Sequence, residues 1–233
     1  MYRKPGIICA SDAELEPFIR QIKDVKITEK AMLKFYEGKL DQVSVIVLYS
    51  GVCKVNAAIA AQLLIDLFQV DLIINAGAAG GMDESVRLLD TVISEQIVYH
   101  DVTDDVLTEF HPWMQSCYFM ADKELLAAAK EYCKTAEYPI RFGTMATGEQ
   151  FIEDEKRDEI NRKFAPLSVD METAAIAHVC YVNQVPFLAV RSITDTASHK
   201  GKENFERNCE MASEISSKIT IGLLGSLCAV KST

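Results

Sequence analysis

Basic residues are scarce in this chain. Lysine and arginine together number 24, against 34 aspartates and glutamates, and the formal net charge is −10 at pH 7. Binding to nucleic acid depends on lysine and arginine side chains that neutralise phosphates. The deficit therefore argues against nucleic acids and anionic membranes as partners. Small ligands that carry no phosphate group remain compatible with it.

Metal, disulfide and cofactor patterns are missing as well. The seven cysteines are odd in number and form no Cys-x-x-Cys pair, which is typical of reduced thiols in the cytoplasm. The four histidines lack the spacing of metal ligands, so we expect no metal. The glycine-rich segment Gly77-Ala-Ala-Gly-Gly81 is neither Gly-x-Gly-x-x-Gly nor a Walker loop, and we expect no cofactor. That segment fits either a tight turn or a shelf for a flat ligand.

No segment predicts a membrane span or a secretion signal. The longest apolar stretch, residues 219–230, is interrupted by Gly222 and Gly225 and is too short to cross a bilayer. The first residues reach Asp12 after only a short apolar run, unlike a signal peptide. These features predict a cytoplasmic protein without membrane contact.

The chain does contain an alternation of strand-like and helix-like segments, without repeats or linkers. This order predicts one α/β domain over residues 1–233 with a largely parallel sheet. A hairpin is expected from the second and third strands. The predicted strands are residues 6–10, 31–37, 43–49, 71–76, 91–99, 140–145, 167–169 and 187–190, and the predicted helices are residues 12–23, 54–68, 122–133, 154–163, 173–182 and 203–227.

Two acidic segments each follow a strand-like run. Asp170-Met171-Glu172 comes after the apolar residues 166–169, and Asp195 closes the segment Arg191-Ser-Ile-Thr-Asp195 after residues 186–190. The carboxyl ends of parallel strands form the crevice in which α/β proteins bind ligands. One acid could hold ribose hydroxyls there while the other lies beside a leaving base. The alternative is that Glu172 and Asp195 only cap helices.

Motifs over nearly the whole chain, residues 6–227, carry a resemblance to a known family. Besides Glu14, they are Ser50-Gly-Val-x-Lys-Val55, Ile74-Asn-Ala-Gly-Ala-Ala-Gly-Gly81, Tyr99-His-Asp101, Thr147-Gly-x-x-Phe-Ile152, Val169-Asp-Met-Glu172 and Val190-Arg-Ser-Ile-Thr-Asp195. In this order they resemble the 5′-methylthioadenosine/S-adenosylhomocysteine nucleosidases of the nucleoside phosphorylase superfamily. The resemblance implies a three-layer α/β/α sandwich with a mixed, largely parallel sheet, and hydrolysis of the adenine–ribose bond.

The resemblance also implies the catalytic residues. Asp195 would protonate, or share a proton with, the purine N7, and Glu14 would orient the attacking water. Arg191 would help to fix the water and the acidic pair. This assignment suits the chemistry, because cleavage of an N-glycosidic bond passes through an oxocarbenium-like state that needs an acid at the leaving group and a carboxylate to activate water. The alternative for Glu14 is a solvated residue in the first turn of a helix.

Substrate-binding residues follow from the same resemblance. Glu172 would hold the 2′ and 3′ hydroxyls with Met171 against the sugar, while Phe151 would stack on adenine and Ile152 would offer its backbone to the purine edge. Taken alone, a phenylalanine such as Phe151 is more often a core residue than a stacking platform. Val52 and Phe205 would line the 5′-thioalkyl pocket, and Thr194 and Ala197 would flank Asp195. Ala78 stands where the family has a serine that contacts the water, Asp170 stands for a glutamate, Cys9 for a glycine and Ser11 for a methionine.

The resemblance further implies a homodimer. Residues 102–113 of the neighbouring subunit would close the 5′ pocket, and Val106, Phe110 and Trp113 in that segment are more apolar than a monomer surface would favour. Two alternatives remain. A phosphate-dependent nucleoside phosphorylase needs cations where this chain has Asn75 and Ala76, and a nucleoside-binding domain without turnover would not need the three acids.

Overall fold

The computed structural model describes residues 4–152, 154–196 and 202–229. Within them the chain alternates between strands and helices, as the apolar pattern predicted. The strands are β1 (Pro5–Cys9), β2 (Lys23–Lys30), β3 (Leu33–Leu40), β4 (Val43–Tyr49), β5 (Leu72–Gly81), β6 (Thr91–Tyr99), β7 (Tyr118–Met120), β8 (Ile140–Thr147), β9 (Ser168–Asp170) and β10 (Phe187–Asp195). The helices are α1 (Asp12–Ile19), α2 (Lys54–Phe68), α3 (Val106–Glu109), α4 (Lys123–Tyr132), α5 (Asp154–Phe164), α6 (Thr173–Asn183) and α7 (Lys202–Ala229).

All of these strands belong to one mixed sheet, in the order β10–β6–β8–β9–β5–β1–β4–β3–β2, with β7 paired to β6. Strand β10 also pairs with β5, so β5, β10, β6, β8 and β9 form a closed ring of pairings. The pairings of β1 with β4 and β5, of β5 with β10 and of β8 with β6 and β9 are parallel. The predicted mixed sheet is confirmed, and its parallel pairings bring the carboxyl ends of β1, β5 and β10 together.

Helices cover both faces of the sheet. Neighbouring residues of a buried strand point to opposite faces, so alternate residues of β1 pack against different helices. Ile8 of β1 packs in one apolar cluster with Leu64 of α2 and with residues of α6. Its neighbour Ile7 packs in a second cluster with Leu15 of α1 and Ile219 of α7. The predicted three-layer α/β/α architecture follows from this alternation.

The structure corrects the segment after β1. The predicted helix over residues 12–23 ends at Ile19, and β2 begins at Lys23. Strand β2 pairs only with β3 at the edge of the sheet, and nearly all of its residues are exposed. A strand that is exposed on both faces need not alternate strictly between apolar and polar residues, and two apolar residues, Val25 and Ile27, were too weak a pattern to reveal it. The predicted hairpin of the next two strands, β3 and β4, is confirmed.

Two further short elements, α3 and β7, lie between β6 and α4, where the sequence predicted neither a helix nor a strand. They span four and three residues, which is too short for a periodic pattern to appear. Helix α7 confirms the long final helix. No helix in the described ranges combines the length and the apolar character that crossing a membrane requires.

Candidate active site

A cavity of about 360 Å³ opens at the carboxyl ends of β1, β5, β9 and β10. Eleven of the twelve predicted site residues line it, although they come from segments spread over the whole chain. They are Glu14, Val52, Ala78, Phe151, Ile152, Asp170, Met171, Glu172, Arg191, Asp195 and Phe205. The twelfth, Thr194, lies behind the wall, where its hydroxyl is within hydrogen-bond distance of Ala79 O and Asp195 Oδ1. Ala197 lies outside the described residues.

Glu14 enters the cavity from the first turn of α1, where Ser11 caps the helix and the two residues form a capping box. The Glu14 carboxylate accepts three backbone hydrogen bonds: Oε2 from Ala10 N at 2.5 Å and Ser11 N at 3.2 Å, and Oε1 from Ala78 N at 2.6 Å. The alternative of a solvated surface acid is wrong, because only 4% of Glu14 is exposed. A Cβ at Gly77 would collide with this carboxylate, so glycine is required there.

Arg191 joins the acids at the polar end of the cavity. Its side chain is buried on β10, with Nη2 donating to Glu172 Oε2 at 3.0 Å, Nε 3.4 Å from Asp170 Oδ2 and Nη1 3.9 Å from Glu14 Oε1. One cation therefore faces three buried carboxylates. Nε and Nη1 make no hydrogen bond within the described chain, and both atoms are buried. Such a cluster has a surplus of negative charge and suits a cationic transition state.

Asp170 and Glu172 have different functions, which the sequence alone does not distinguish. Asp170 caps α6, because its Oδ1 accepts from Glu172 N at 3.3 Å and Thr173 N at 3.1 Å, and also from Thr147 Oγ1 at 2.7 Å. Glu172 makes no side-chain cap bond and instead accepts from Cys53 N at 2.9 Å. The helix-capping alternative thus does not hold for the Glu172 side chain, because Asp170 accepts the hydrogen bonds at the start of α6. Although Asp170 reaches the cavity wall, its carboxylate holds the β9–α6 loop.

Glu172 carries an altered proton affinity. Burial raises the pKa of its carboxyl to about 7, with Asp170 and Glu14 adding to the rise and Arg191 opposing it. The carboxyl therefore takes up a proton more readily than a free glutamate does. A carboxyl accepts hydrogen bonds in its charged form and can also donate one when it is protonated, so it can bind hydroxyl groups in either form.

Asp195 ends β10 at a register shift between Ile193 and Asp195. It is buried, and Oδ1 accepts from Thr194 Oγ1 at 2.9 Å. Burial raises the pKa of its carboxyl, against the lowering effects of the Thr194 hydrogen bond and of Arg157. A buried carboxyl with a raised pKa is the form of group that serves as a general acid. Asp195 is the last residue of a strand here, so the capping alternative does not apply to it either.

Among the described residues, Arg157 is a charged neighbour of Asp195 that the sequence did not reveal. Its Nη2 lies 3.8 Å from Asp195 Oδ2, and its side chain is buried on α5. Helix α5 is rich in charged residues, among them Lys156 and Arg162. Nothing in their spacing singles out Arg157, so only the tertiary structure could identify it.

Aromatic and aliphatic side chains form the other walls. Phe151 and Phe205 meet edge to face with ring centroids 6.2 Å apart, and 40% of Phe151 is exposed. The alternative that Phe151 belongs to the core is therefore wrong. Ile152, in contrast, is buried among Met82, Val98 and other apolar residues, and its side chain anchors the loop. The exposed ring can stack on a flat ligand.

The arrangement as a whole combines a buried acid, a carboxylate held by amides and an aromatic wall in one cavity. These groups can protonate a leaving base, activate water and bind a purine, which is what cleavage of an N-glycosidic bond requires. Among residues 4–152, 154–196 and 202–229, no group of three or more His, Cys, Asp or Glu side chains could hold a metal ion.

Comparison with known proteins agrees with this geometry. Residues 4–225 match the model of a family described as the phosphorylase superfamily. A 5′-methylthioadenosine/S-adenosylhomocysteine nucleosidase from Oceanobacillus iheyensis is 34% identical over 224 residues, covering 94% of this chain and 97% of its own. The solved structure of such a nucleosidase from Colwellia psychrerythraea in complex with adenine has a TM-score of 0.89 at 36% identity, over 97% of this chain and 96% of its own. Futalosine hydrolase of Helicobacter pylori has a TM-score of 0.88 at 26% identity, over 97% of this chain and 98% of its own.

Proposed function

The chain belongs to the phosphorylase superfamily and, within it, to the 5′-methylthioadenosine/S-adenosylhomocysteine nucleosidases, and we propose that Asp195, Glu14 and Arg191 carry out its reaction. It is an N-glycosyl hydrolase that cleaves 5′-methylthioadenosine and S-adenosylhomocysteine to adenine and the thioribose. The observation that supports the catalytic assignment is the meeting of Glu14 and Asp195 in one cavity. The partly exposed Phe151 ring on the cavity wall is available to stack on a purine.

In the proposed mechanism, Asp195 gives its proton to purine N7 while the C–N bond breaks and its electron pair moves onto the base. The sugar then carries positive charge, which the surplus of carboxylates around Arg191 stabilises. Glu14 takes a proton from the water that attacks the sugar carbon. Arg191, whose Nη1 lies 3.9 Å from Glu14 Oε1, helps to fix Glu14 and with it the water.

The proposed substrate contacts follow the shape of the cavity. Glu172 holds the 2′ and 3′ hydroxyls with Met171 beside the sugar, and Phe151 stacks on adenine while Ile152 offers its backbone to the purine edge. The remaining roles are indirect or apolar: Thr194 orients Asp195, Val52 and Phe205 line the 5′ pocket, Ala78 N fixes Glu14, and Asp170 holds the loop that carries Glu172.

The hydrolase is favoured over a phosphorylase by the charges at the cavity. In the described chain, Arg191 is the one lysine or arginine on the cavity wall, and three carboxylates already compete for it. Asn75 is buried below the wall, donating to Ile8 O and accepting from Thr173 Oγ1. A phosphate dianion would meet net negative charge there, which opposes its binding. The binding-only alternative is disfavoured because Glu14, Glu172 and Asp195 all line the cavity.

An adenine-release assay with and without phosphate tests the function. We expect the rate of adenine release from methylthioadenosine to be independent of phosphate, with free methylthioribose as the second product. The physical reason is the repulsion between phosphate and the carboxylates around Arg191. Chromatography of the sugar product distinguishes the outcomes, since a rate that rises with phosphate and yields a sugar 1-phosphate would make the chain a phosphorylase.

We further propose a two-fold dimer. Phe110 is 61% exposed and Trp113 67% exposed, in the segment expected to reach a partner's 5′ pocket. The neighbouring helices α2 and α6 pack together and add further exposed apolar side chains. An apolar surface of this kind usually marks an interface. The exposed apolar side chains of the proposed interface are Val52, Val55, Ile59, Val106, Phe110, Trp113, Met120, Tyr181 and Val182.

Light scattering tests the dimer. Wild-type protein should have twice the mass of one chain, and Trp113→Glu should be largely monomeric with weakened turnover, because a charge would be buried against the partner. Met32→Glu is the matched control, since Met32 is fully exposed on the turn between β2 and β3. A wild-type monomer with full activity at nanomolar concentration would contradict the proposal.

A cytoplasmic location and a single domain over residues 1–233 complete the proposal. The six cysteines whose side chains the structure describes are free, which supports a reducing compartment. The described strands all belong to one sheet, which supports one domain.

A further inference from the structure

Arg157 is a buried arginine that the proposed reaction does not use. It lies on α5 with 5% of its surface exposed, and it is absent from the residues that line the cavity. Its Nη1 donates to Gly81 O and lies 3.5 Å from Met82 Sδ, while Nε has no hydrogen-bond partner in the described chain. A buried cation with an unsatisfied donor is costly to the folded state. Its position therefore points to a function other than stability.

The carbonyl of Gly81 fixes the guanidinium at the end of β5. In the register between β5 and β10, Gly80 is the partner of Asp195. Arg157 therefore approaches the strand ends from α5, with Nη2 3.8 Å from Asp195 Oδ2. This separation is too long for a hydrogen bond and short enough for a strong charge interaction. Asp195 is oriented by Thr194, and Arg157 acts on it through charge.

Arg191 and Arg157 thus interact with different acids of the site. Arg191 is shared by the carboxylates of Glu14, Asp170 and Glu172. Arg157 contacts Asp195 alone among the acids of the described chain. Among the charged side chains that the structure describes, Arg157 is the one that lowers the pKa of Asp195, whereas burial raises that pKa.

We propose that Arg157 is a positioning residue that stabilises the Asp195 carboxylate formed when its proton moves to the purine. The proposal rests on the proposed function. In the step concerned, the proton leaves Asp195 for N7 and the glycosidic electron pair passes to the base. The carboxylate that remains faces Nη2 of Arg157. The guanidinium does not touch the substrate, and it makes Asp195 a stronger acid.

The test is the pH dependence of kcat/KM for adenine release from methylthioadenosine. Arg157→Met removes the charge and keeps an apolar stem beside Met82 and the neighbouring cluster. Without the cation, Asp195 holds its proton more strongly, so the alkaline limb should move up by about one to three pH units. The plateau rate should fall on the order of tenfold, because Asp195 becomes a weaker acid.

Two further variants separate charge from structure. Arg157→Lys retains the positive charge, and its alkaline limb should stay near that of the wild type. Arg162→Met, an exposed position on the same helix, is the matched control and should leave the profile unchanged. Melting temperatures of all three variants report whether they fold.

The outcomes decide between the two roles. Loss of rate in both Arg157 variants with an unmoved alkaline limb would overturn the proposal and make Arg157 structural. An Arg157→Met protein that fails to fold would also overturn it, because the guanidinium would then be needed to hold α5 on β5. If the wild-type protein releases adenine, the proposed function stands whatever the Arg157 variants show. A wild-type protein that releases none would refute both.

Discussion

Asp195→Asn should lower the rate of adenine release by roughly 10²–10⁴-fold or more, the range expected for loss of one general acid. Asparagine preserves the size of the side chain and can still accept the hydrogen bond from Thr194 Oγ1. It cannot give a proton to the purine. Binding of the nucleoside should survive, because the aromatic wall and Glu172 are unchanged. Single-turnover kinetics combined with calorimetric binding would separate the two quantities.

The matched control for this variant is Asp12→Asn, on the exposed side of α1. It removes one carboxylate charge from the same protein without entering the cavity, and its rate should remain close to that of the wild type. Turnover of Asp195→Asn within a few fold of the wild type would assign the proton to another group.

Glu14→Gln should also reduce turnover by roughly 10²–10⁴-fold, because an amide does not take a proton from water. The structure also predicts that Glu14→Gln lowers the stability of the folded state. Ala10 N, Ser11 N and Ala78 N all donate to the carboxylate, and an amide can serve only one side of this set with its oxygen. The free energy of unfolding should fall by about 1–3 kcal/mol, the cost of leaving a buried donor unsatisfied. Urea denaturation measures that loss.

Glu16→Gln is the control for Glu14, since Glu16 is exposed on the same helix. It should retain both rate and stability. Glu14→Ala is a poorer variant, because it would remove the acceptor of all three amides and confuse loss of catalysis with loss of folding. If Glu14→Gln remained folded and kept its rate, the attacking water would have to be activated by another residue.

The sequence predicted which acids meet in the cavity because of how the cavity is built. Glu14, Glu172 and Asp195 each lie within a few residues of the carboxyl end of a strand. In a sheet with parallel pairings these ends come together, so strand-like runs followed by acids predict a shared cavity. The order of the motifs then gave the family, and with it Phe151 and Ile152.

The sequence was less informative where elements lack a buried face. Strand β2 is exposed along nearly its whole length, and the predicted helix over residues 12–23 was extended into it. Residues at the edge of a sheet need not alternate in polarity, because neither of their faces is covered. The burial of a residue on helix α5 was also not predictable from the sequence. It carries a buried arginine among many charged residues, and charge alone does not reveal burial.

The sequence by itself determined which acidic side chains line the cavity, because strand ends and helix starts are local features that short patterns reveal. Only the tertiary structure decided how those side chains share their partners. Asp170 caps α6 and leaves Glu172 for the ligand, Cys53 N reaches Glu172 across 119 positions of the chain, and Ala78 N reaches Glu14 across 64. Arg157 meets Asp195 in the same way. Contacts between segments so far apart depend on how the sheet closes on itself, and no local pattern records that closure.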